Sequence, residues 1–292
     1  MNITIIGCGR WGSLIAWYLD RIGHHVTLYG RPSSPHMQRF LKTRQNDLLM
    51  LPMSVCLSTD LKAVEQAEIV IISIGSQGLQ KLMDQLNTIV LRDKTIILCV
   101  KGLEQGTGRR LSQIAEENLA ASNRVAVWLG PGHVQELYRG IPNCMVIDSR
   151  DEDVKRKLID NFSSELIRFY YGNDLIGNEV GAAAKNVVGI AAGFLDGKNL
   201  SSLKGALMSR GTREVARLIE AMGGSQLSAY GLCHLGDYEA TVFSRYSHNR
   251  QFGESFVKGE QYTDLAEGYY TVEALMLLGD RYQVELPICR AV

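Results

Sequence analysis

The sequence predicts two parts of different class: an α/β part built on a doubly wound parallel sheet, followed by a mostly α-helical part. Three observations predict this. Five short apolar runs occupy the first half: Ile3 to Ile6, Val26 to Tyr29, Ile69 to Ile74, Thr95 to Val100 and Val125 to Leu129. They lack polar alternation and are separated by helix-length segments, the pattern of parallel strands covered on both faces. After about residue 172 strand-like runs become scarce, and Asn178 to Phe194, Leu203 to Met222 and Thr263 to Tyr282 read as helices. The expected division is therefore 1–172 and 173–292.

The first run leads directly into Gly7-Cys8-Gly9-Arg10-Trp11-Gly12, and Leu14, Ile15, Tyr18, Leu19 and Ile22 then recur at helical steps. A GxGxxG between a first strand and a first helix is the signature of a Rossmann domain that binds a dinucleotide. The chemistry needs a tight turn at Gly7, a bare backbone at Gly9 for the pyrophosphate, and close helix packing at Gly12. Free N–H groups at the helix start then face the phosphates. The plain alternative is a glycine-rich turn with no ligand.

The second run ends in Tyr29-Gly30-Arg31, without the acidic residue that would bind a ribose 2′-hydroxyl. Arg31 suits a 2′-phosphate, which predicts NADP, or tolerance of both NADP and NAD; it equally suits a solvated surface. Lys101 follows the fourth of these runs, at a carboxyl end where ligands bind, and taken alone fits a surface lysine as well. Lys185-Asn186 is less ordinary, because the surrounding Gly181 to Ala192 reads as a buried helix. A buried ammonium requires a partner, and its pKa falls toward neutrality, which suits proton transfer. The alternative is one exposed stripe on that helix. Asp237 is a candidate partner for Lys185. Ser247-His248-Asn249-Arg250 gathers polar groups in a loop-prone stretch suited either to phosphate or to solvent.

Composition narrows the class further. Lys plus Arg and Asp plus Glu both total 31, so a nucleic-acid partner, which requires a basic excess, is not expected. Cys8, Cys56, Cys99, Cys144, Cys233 and Cys289 form no CxxC pair, and no metal site is expected. No segment reaches the roughly 18–20 apolar residues of a membrane span. The chain opens without a basic or cleavable leader, so a cytoplasmic protein is expected, with a homodimer as the default assembly.

Taken in order, these stretches resemble the bacterial type of NAD(P)-dependent glycerol-3-phosphate dehydrogenase, from Asn2 to Pro287. The resemblance rests on Gly7 to Gly12, Lys101-Gly102-Leu103-Glu104, Gly130-Pro131 with Glu136, and above all Gly177 through Lys185-Asn186 to Gly197. Ser209-Arg210-Gly211, Gly236-Asp237, Thr241, Asn249-Arg250 and Glu267-Gly268 with Thr271 follow in family order. It implies a small phosphorylated substrate and reversible reduction of dihydroxyacetone phosphate to sn-glycerol 3-phosphate, a supply of glycerolipid and phospholipid precursor. It makes Lys185 the proton donor and acceptor, with Lys101 and Asp237 beside it in catalysis. Lys101 would contact both substrate and nicotinamide. Gly7, Gly9, Arg10, Trp11, Gly12, Arg31 and Glu267 fall on the cofactor. Gly130, Asn186, Asp237, Ser247, His248, Asn249 and Arg250 fall on the substrate.

The chain departs from that pattern in places. His248 replaces an arginine that contacts phosphate groups, and Gly132 replaces a small hydroxyl residue. Gly75 stands where proline is usual, the loop after Gly197 is about a residue short, and little chain follows Pro287. Either Arg245 or Arg250 compensates for the lost guanidinium, or substrate preference and rate have drifted. Two other readings are a related dehydrogenase acting on another small phosphorylated or acidic substrate, and an NAD(P)-binding protein with little catalysis.

Overall fold

Eight strands build one sheet in a computed structural model that describes residues 1–292. They are β1 (Asn2–Ile6), β2 (His25–Tyr29), β3 (Cys56–Ser58), β4 (Ile69–Ile72), β5 (Thr95–Leu98), β6 (Arg124–Leu129), β7 (Asn143–Ser149) and β8 (Ile167–Tyr171). Between them lie α1 (Arg10–Arg21), α2 (Pro35–Thr43), α3 (Leu79–Leu86), α4 (Leu111–Asn118), α5 (Val134–Tyr138) and α6 (Glu152–Phe162). Then come α7 (Leu175–Gly197), α8 (Lys204–Ala221), α9 (His248–Lys258), α10 (Glu267–Tyr282) and α11 (Pro287–Ala291).

The strand order is β3-β2-β1-β4-β5-β6-β7-β8, with β1 to β6 mutually parallel. The chain reverses its direction of travel across the sheet between β1 and β4, so a crevice opens there at the carboxyl edge. The expected parallel sheet is present, and its far edge adds two strands that the sequence reading did not include. β7 runs antiparallel to β6, Leu129 pairing with Val146 and Ala126 with Ser149, and β8 is parallel to β7. The cause is the short connection. The thirteen residues between Leu129 and Asn143 hold only the five-residue α5, whose rise of about 7.5 Å falls well short of the roughly 20 Å of a strand the length of β6. The chain therefore re-enters at the edge where it left.

Apolar side chains fill both faces of the sheet. Leu14, Tyr18 and Phe40 pack with Trp128 and Phe162 on one side. On the other, Leu79, Met83 and Ile114 pack with Ile72 and Leu98, joined by Ala182 of α7 and Cys233. A third core lies among α7, α8, α10 and α11, around Val187, Leu218, Leu275 and Cys289. The six cysteines are free thiols, and no helix is long and apolar enough to cross a membrane.

Helix α7 connects the sheet to the helical part. Asp174 caps its start by accepting from Gly177 N at 3.0 Å. Asp148, near the end of β7, accepts from Asp174 N at 3.2 Å and Asn178 Nδ2 at 2.8 Å. Next to Asn178, Glu179 pairs with Arg110 at 2.6 Å and accepts from Ser112 N at 2.8 Å, both partners being buried. The helix thus starts at the amino edge of β6 and climbs to the carboxyl edge. Helix α9 crosses it at close range. A Cβ on Gly193 would stand 2.1 Å from Arg250 O, and one on Gly253 would stand 2.1 Å from Ile190 O. The polar stretch expected as a loop at Ser247 to Arg250 is instead the first turn of α9, with Ser247 accepting from Arg250 N at 3.3 Å as its cap.

Candidate active site

A cleft of about 870 Å³ runs along the carboxyl edge of the sheet and under the helical part. Its floor comes from the turns after β1, β2, β4, β5 and β6, and its roof from α7, the 237–249 segment and the start of α10. One end is glycine-lined. Gly7 has φ +115°, and a Cβ there would stand 2.0 Å from Ser73 O, so only glycine makes this turn. A Cβ on Gly12 would stand 1.9 Å from Gly7 O. Gly9 differs: nothing lies within 4 Å of its Cβ position, and it faces the cleft. The first bond of α1 is Ser13 N to Gly9 O at 3.0 Å. The N–H groups of Arg10, Trp11 and Gly12 therefore have no acceptor within the helix. Open space over a bare backbone beside free donors fits a pyrophosphate.

Arg31 is exposed beyond β2 and lines this end together with Ser34 and His36. Glu267, at the start of α10, enters from the roof and accepts from Ser76 N at 3.1 Å and Ser76 Oγ at 2.5 Å. Burial raises its pKa, and the two Ser76 bonds work against that rise.

At the other end three charged residues converge. Lys185 Nζ lies 2.8 Å from Asp237 Oδ2, and Lys101 Nζ lies 2.6 Å from the same oxygen. Lys101 also donates to Gly130 O at 2.6 Å. Lys185 also donates to Thr241 Oγ1 at 2.8 Å, and that hydroxyl donates to Asp237 O at 2.8 Å. Asp237 Oδ1 is buried without a hydrogen-bond partner. The Lys185 side chain is 8% exposed, against 27% for that of Lys101. Burial lowers the pKa of Lys185 to about 8; Asp237 opposes this and Lys101 adds to it. An ammonium has three donors. Two of them on Lys185 are taken, so one is left for a ligand.

The remaining expected residues divide. Asn186 lines the cleft, its Nδ2 3.5 Å from Lys101 O. Asn249 lines it and accepts from Gly268 N at 2.9 Å, tying α9 to α10. Ser247 and His248 line it at the start of α9, and Trp11 lines it from α1. Arg250 does not. Its Nη1 is held at 2.7 Å by both Asp196 and Glu254, and its Nε donates to Ser244 O. Arg245 is exposed and stacks on Tyr246 at 4.9 Å. Neither arginine compensates for the guanidinium missing at position 248. Thr241 and His133 belong to the cleft without a role assigned to them from sequence, and Ser76 holds Glu267 beside it. Thr241 lies one helical turn past Asp237, the spacing that would have signalled it.

A dinucleotide turn facing a buried lysine across one cleft defines the class as a nicotinamide-dependent oxidoreductase. Known proteins narrow the class further. A family model described as the NAD-dependent glycerol-3-phosphate dehydrogenase N-terminus matches residues 2–155, and its C-terminal counterpart matches 174–292. The chain belongs to the NAD-dependent glycerol-3-phosphate dehydrogenase family. It is 32% identical over 304 residues to the NAD(P)+-dependent glycerol-3-phosphate dehydrogenase of Thermoanaerobacter sp., covering 100% of this chain and 91% of the relative. The Fusobacterium nucleatum enzyme is 33% identical over 306 residues, with the same coverage. The crystal structure of glycerol-3-phosphate dehydrogenase from Coxiella burnetii superposes with a TM-score of 0.92 at 27% identity, covering 99% of this chain and 92% of that one.

Proposed function

We propose that the chain catalyses the reversible NAD(P)H-dependent reduction of dihydroxyacetone phosphate to sn-glycerol 3-phosphate. The observation that carries this reading is the pair of lysines sharing Asp237 Oδ2, each with a spare donor, in the same cleft as the glycine turn. The bare backbone of Gly7 and Gly9 and the free backbone N–H groups of Arg10, Trp11 and Gly12 would hold the cofactor's phosphates, with the side chains of Arg31 and Glu267 at either side. When bound, the nicotinamide supplies the hydride.

The protein's part is proton transfer and charge placement. Lys185 directs its free N–H at the substrate oxygen and gives up that proton as negative charge grows there. A pKa of about 8 keeps both ammonium and amine within reach near neutral pH, as a reversible reaction requires. Lys101 directs a second donor at the same oxygen. Asp237 Oδ2 fixes both lysines, while Oδ1 is free to accept from a substrate hydroxyl. Asn186, Asn249, Ser247 and His248 form the walls around the substrate, and Gly130 contributes by holding Lys101 through its carbonyl. A cytoplasmic location, a homodimeric assembly and a role in glycerolipid and phospholipid precursor supply belong to the same reading and rest on the family.

The test is a substrate panel followed at 340 nm with NADH and NADPH. Dihydroxyacetone phosphate is expected to be reduced at least a hundredfold better than 2-keto acids. Preference for a 2-keto acid would overturn the reading.

Arg31 sets a second expectation. With Ser34 and His36 beside it and no acid after β2, NADPH is expected to bind more tightly than NADH. Arg31→Ala removes a charge-assisted contact with the 2′-phosphate. It should weaken NADPH about tenfold while leaving NADH within about twofold. Equal loss for both cofactors in a fluorescence titration would place Arg31 elsewhere.

A further inference from the structure

One side chain crosses the cleft from the glycine turn to the helical part. Arg10 opens α1, yet its Nη1 lies 2.6 Å from Nε2 of His248, the first residue of α9. A guanidinium only donates, so Nε2 accepts and the imidazole is neutral with its proton on Nδ1. Nδ1 lies 2.6 Å from Tyr262 Oη, which in turn donates to Gln251 Oε1 at 3.3 Å. Donation thus runs one way, from Arg10 through His248 and Tyr262 into the body of α9. Burial and the neighbouring Arg10 both lower the pKa of His248, in keeping with a neutral ring.

This chain of hydrogen bonds fixes where the Arg10 guanidinium points but leaves its charge unmet. Other part-buried arginines are met by oxygen acceptors: Arg109 has Glu104 and Glu117, Arg110 has Glu179, Arg250 has Asp196 and Glu254, Arg44 donates to the carbonyls of Leu51, Pro52 and Val55, and Arg217 donates to Glu285 O. Arg10 pairs with none. The carboxylate of Asp264 lies beyond the imidazole, 3.7 Å from Nδ1, with its side chain 67% exposed. At the catalytic end, Lys101 and Lys185 already share Asp237, and Arg31 lies past β2 at the other extremity of the cleft. A dianion next to α9 therefore meets one uncommitted fork, and most of its five donors remain free.

We propose that Arg10, held in place by neutral His248, receives the phosphate of the substrate and so selects phosphorylated over unphosphorylated ketones. His248 is a positioning residue in this scheme: it aims the guanidinium and carries no charge of its own. The inference rests on the functional reading above. A phosphate group has two sources here, the substrate and the cofactor's pyrophosphate, because Arg10 also stands at the start of α1. The experiment separates them.

Arg10→Met keeps the length of the side chain and removes its charge. We expect the KM for dihydroxyacetone phosphate to rise about 10- to 100-fold, the loss of a charge-assisted contact. Turnover of unphosphorylated dihydroxyacetone and the Kd for NADPH should stay within about twofold. His248→Ala should raise the same KM several-fold, and His248→Gln, which keeps an acceptor, should restore it. Weakened NADPH with an unchanged KM would assign Arg10 to the cofactor and overturn the proposal. An unchanged KM together with unchanged NADPH binding would also overturn it. Inorganic phosphate, titrated calorimetrically into the cofactor-free protein, gives a readout independent of turnover. Binding at least tenfold weaker in Arg10→Met, with Arg10→Lys intermediate, is expected. Equal binding in all three proteins, or binding in none, overturns the proposal. Loss of ketone reduction by the unaltered enzyme would instead sink the functional reading.

Discussion

Lys185→Ala is expected to lower kcat for dihydroxyacetone phosphate reduction by about 10²–10⁴-fold, the usual consequence of removing a positioned general acid. The size follows from the surroundings. Lys185 is buried, its ammonium is bound to Asp237 and Thr241, and no other titratable donor shares its position on α7. Lys101, held by the same Asp237 oxygen and by Gly130 O, keeps its donor to the substrate oxygen and accounts for the activity that remains. Binding of NADPH should persist, because the glycine turn lies at the other end of the cleft. Alanine is a strong helix former and stands among Ala182, Ala183 and Ala184, so the helix itself tolerates the change. The measurement is steady-state turnover beside a fluorescence titration of NADPH. Near-normal kcat in a folded variant would remove Lys185 from the chemistry.

Asp237→Asn carries the second large effect, through charge rather than shape. The carboxylate is the one group raising the pKa of Lys185 against burial and against Lys101. With the charge removed, that pKa should fall from about 8 by roughly one unit or more. The sign of the activity change follows. Reduction requires the ammonium, so its alkaline limb should move to lower pH and the rate near pH 7.5 should fall. Oxidation requires the amine, so its acid limb should move to lower pH as well. Breaking a buried ion pair from one side typically costs about 3–5 kcal/mol, so a lowered Tm is expected too. Rate profiles in both directions, between about pH 5.5 and 9.5 around the altered pKa, check this. Limbs that stay in place would mean that Asp237 does not set the protonation of Lys185.

Much of this architecture was legible in the sequence for a simple reason. β1, β2, β4, β5 and β6 are buried on both faces, so their apolar runs stand out against the helices. β3 is three residues long and partly exposed, too short to carry a pattern. β8 presents Arg168, Tyr170 and Tyr171 to solvent, and β7 carries Asp148 near its end, buried where it binds the start of α7. The charged trio was partly visible: a lysine inside a run of small apolar residues signals a buried partner, and family resemblance pointed to Asp237. Arg250 was misread because sequence adjacency hides direction. It follows His248 by two residues in a helix, a rotation of about 200°, which turns it from the cleft toward Asp196. The Arg10–His248 contact joins residues 238 positions apart and left no local trace.

Helix α7 also acts as a measuring rod. Its foot is pinned at Asp174, Asn178 and Glu179, and its reactive side chain sits ten residues above Leu175, a height of about 15 Å. Adding or deleting one residue in that interval would swing Lys185 by about 100° and shift it by about 1.5 Å. Its amine would then face the packed interior instead of the substrate. Changes of length in this chain are therefore confined to the turns around the helix, and the span from 175 to 185 is free to vary only in composition.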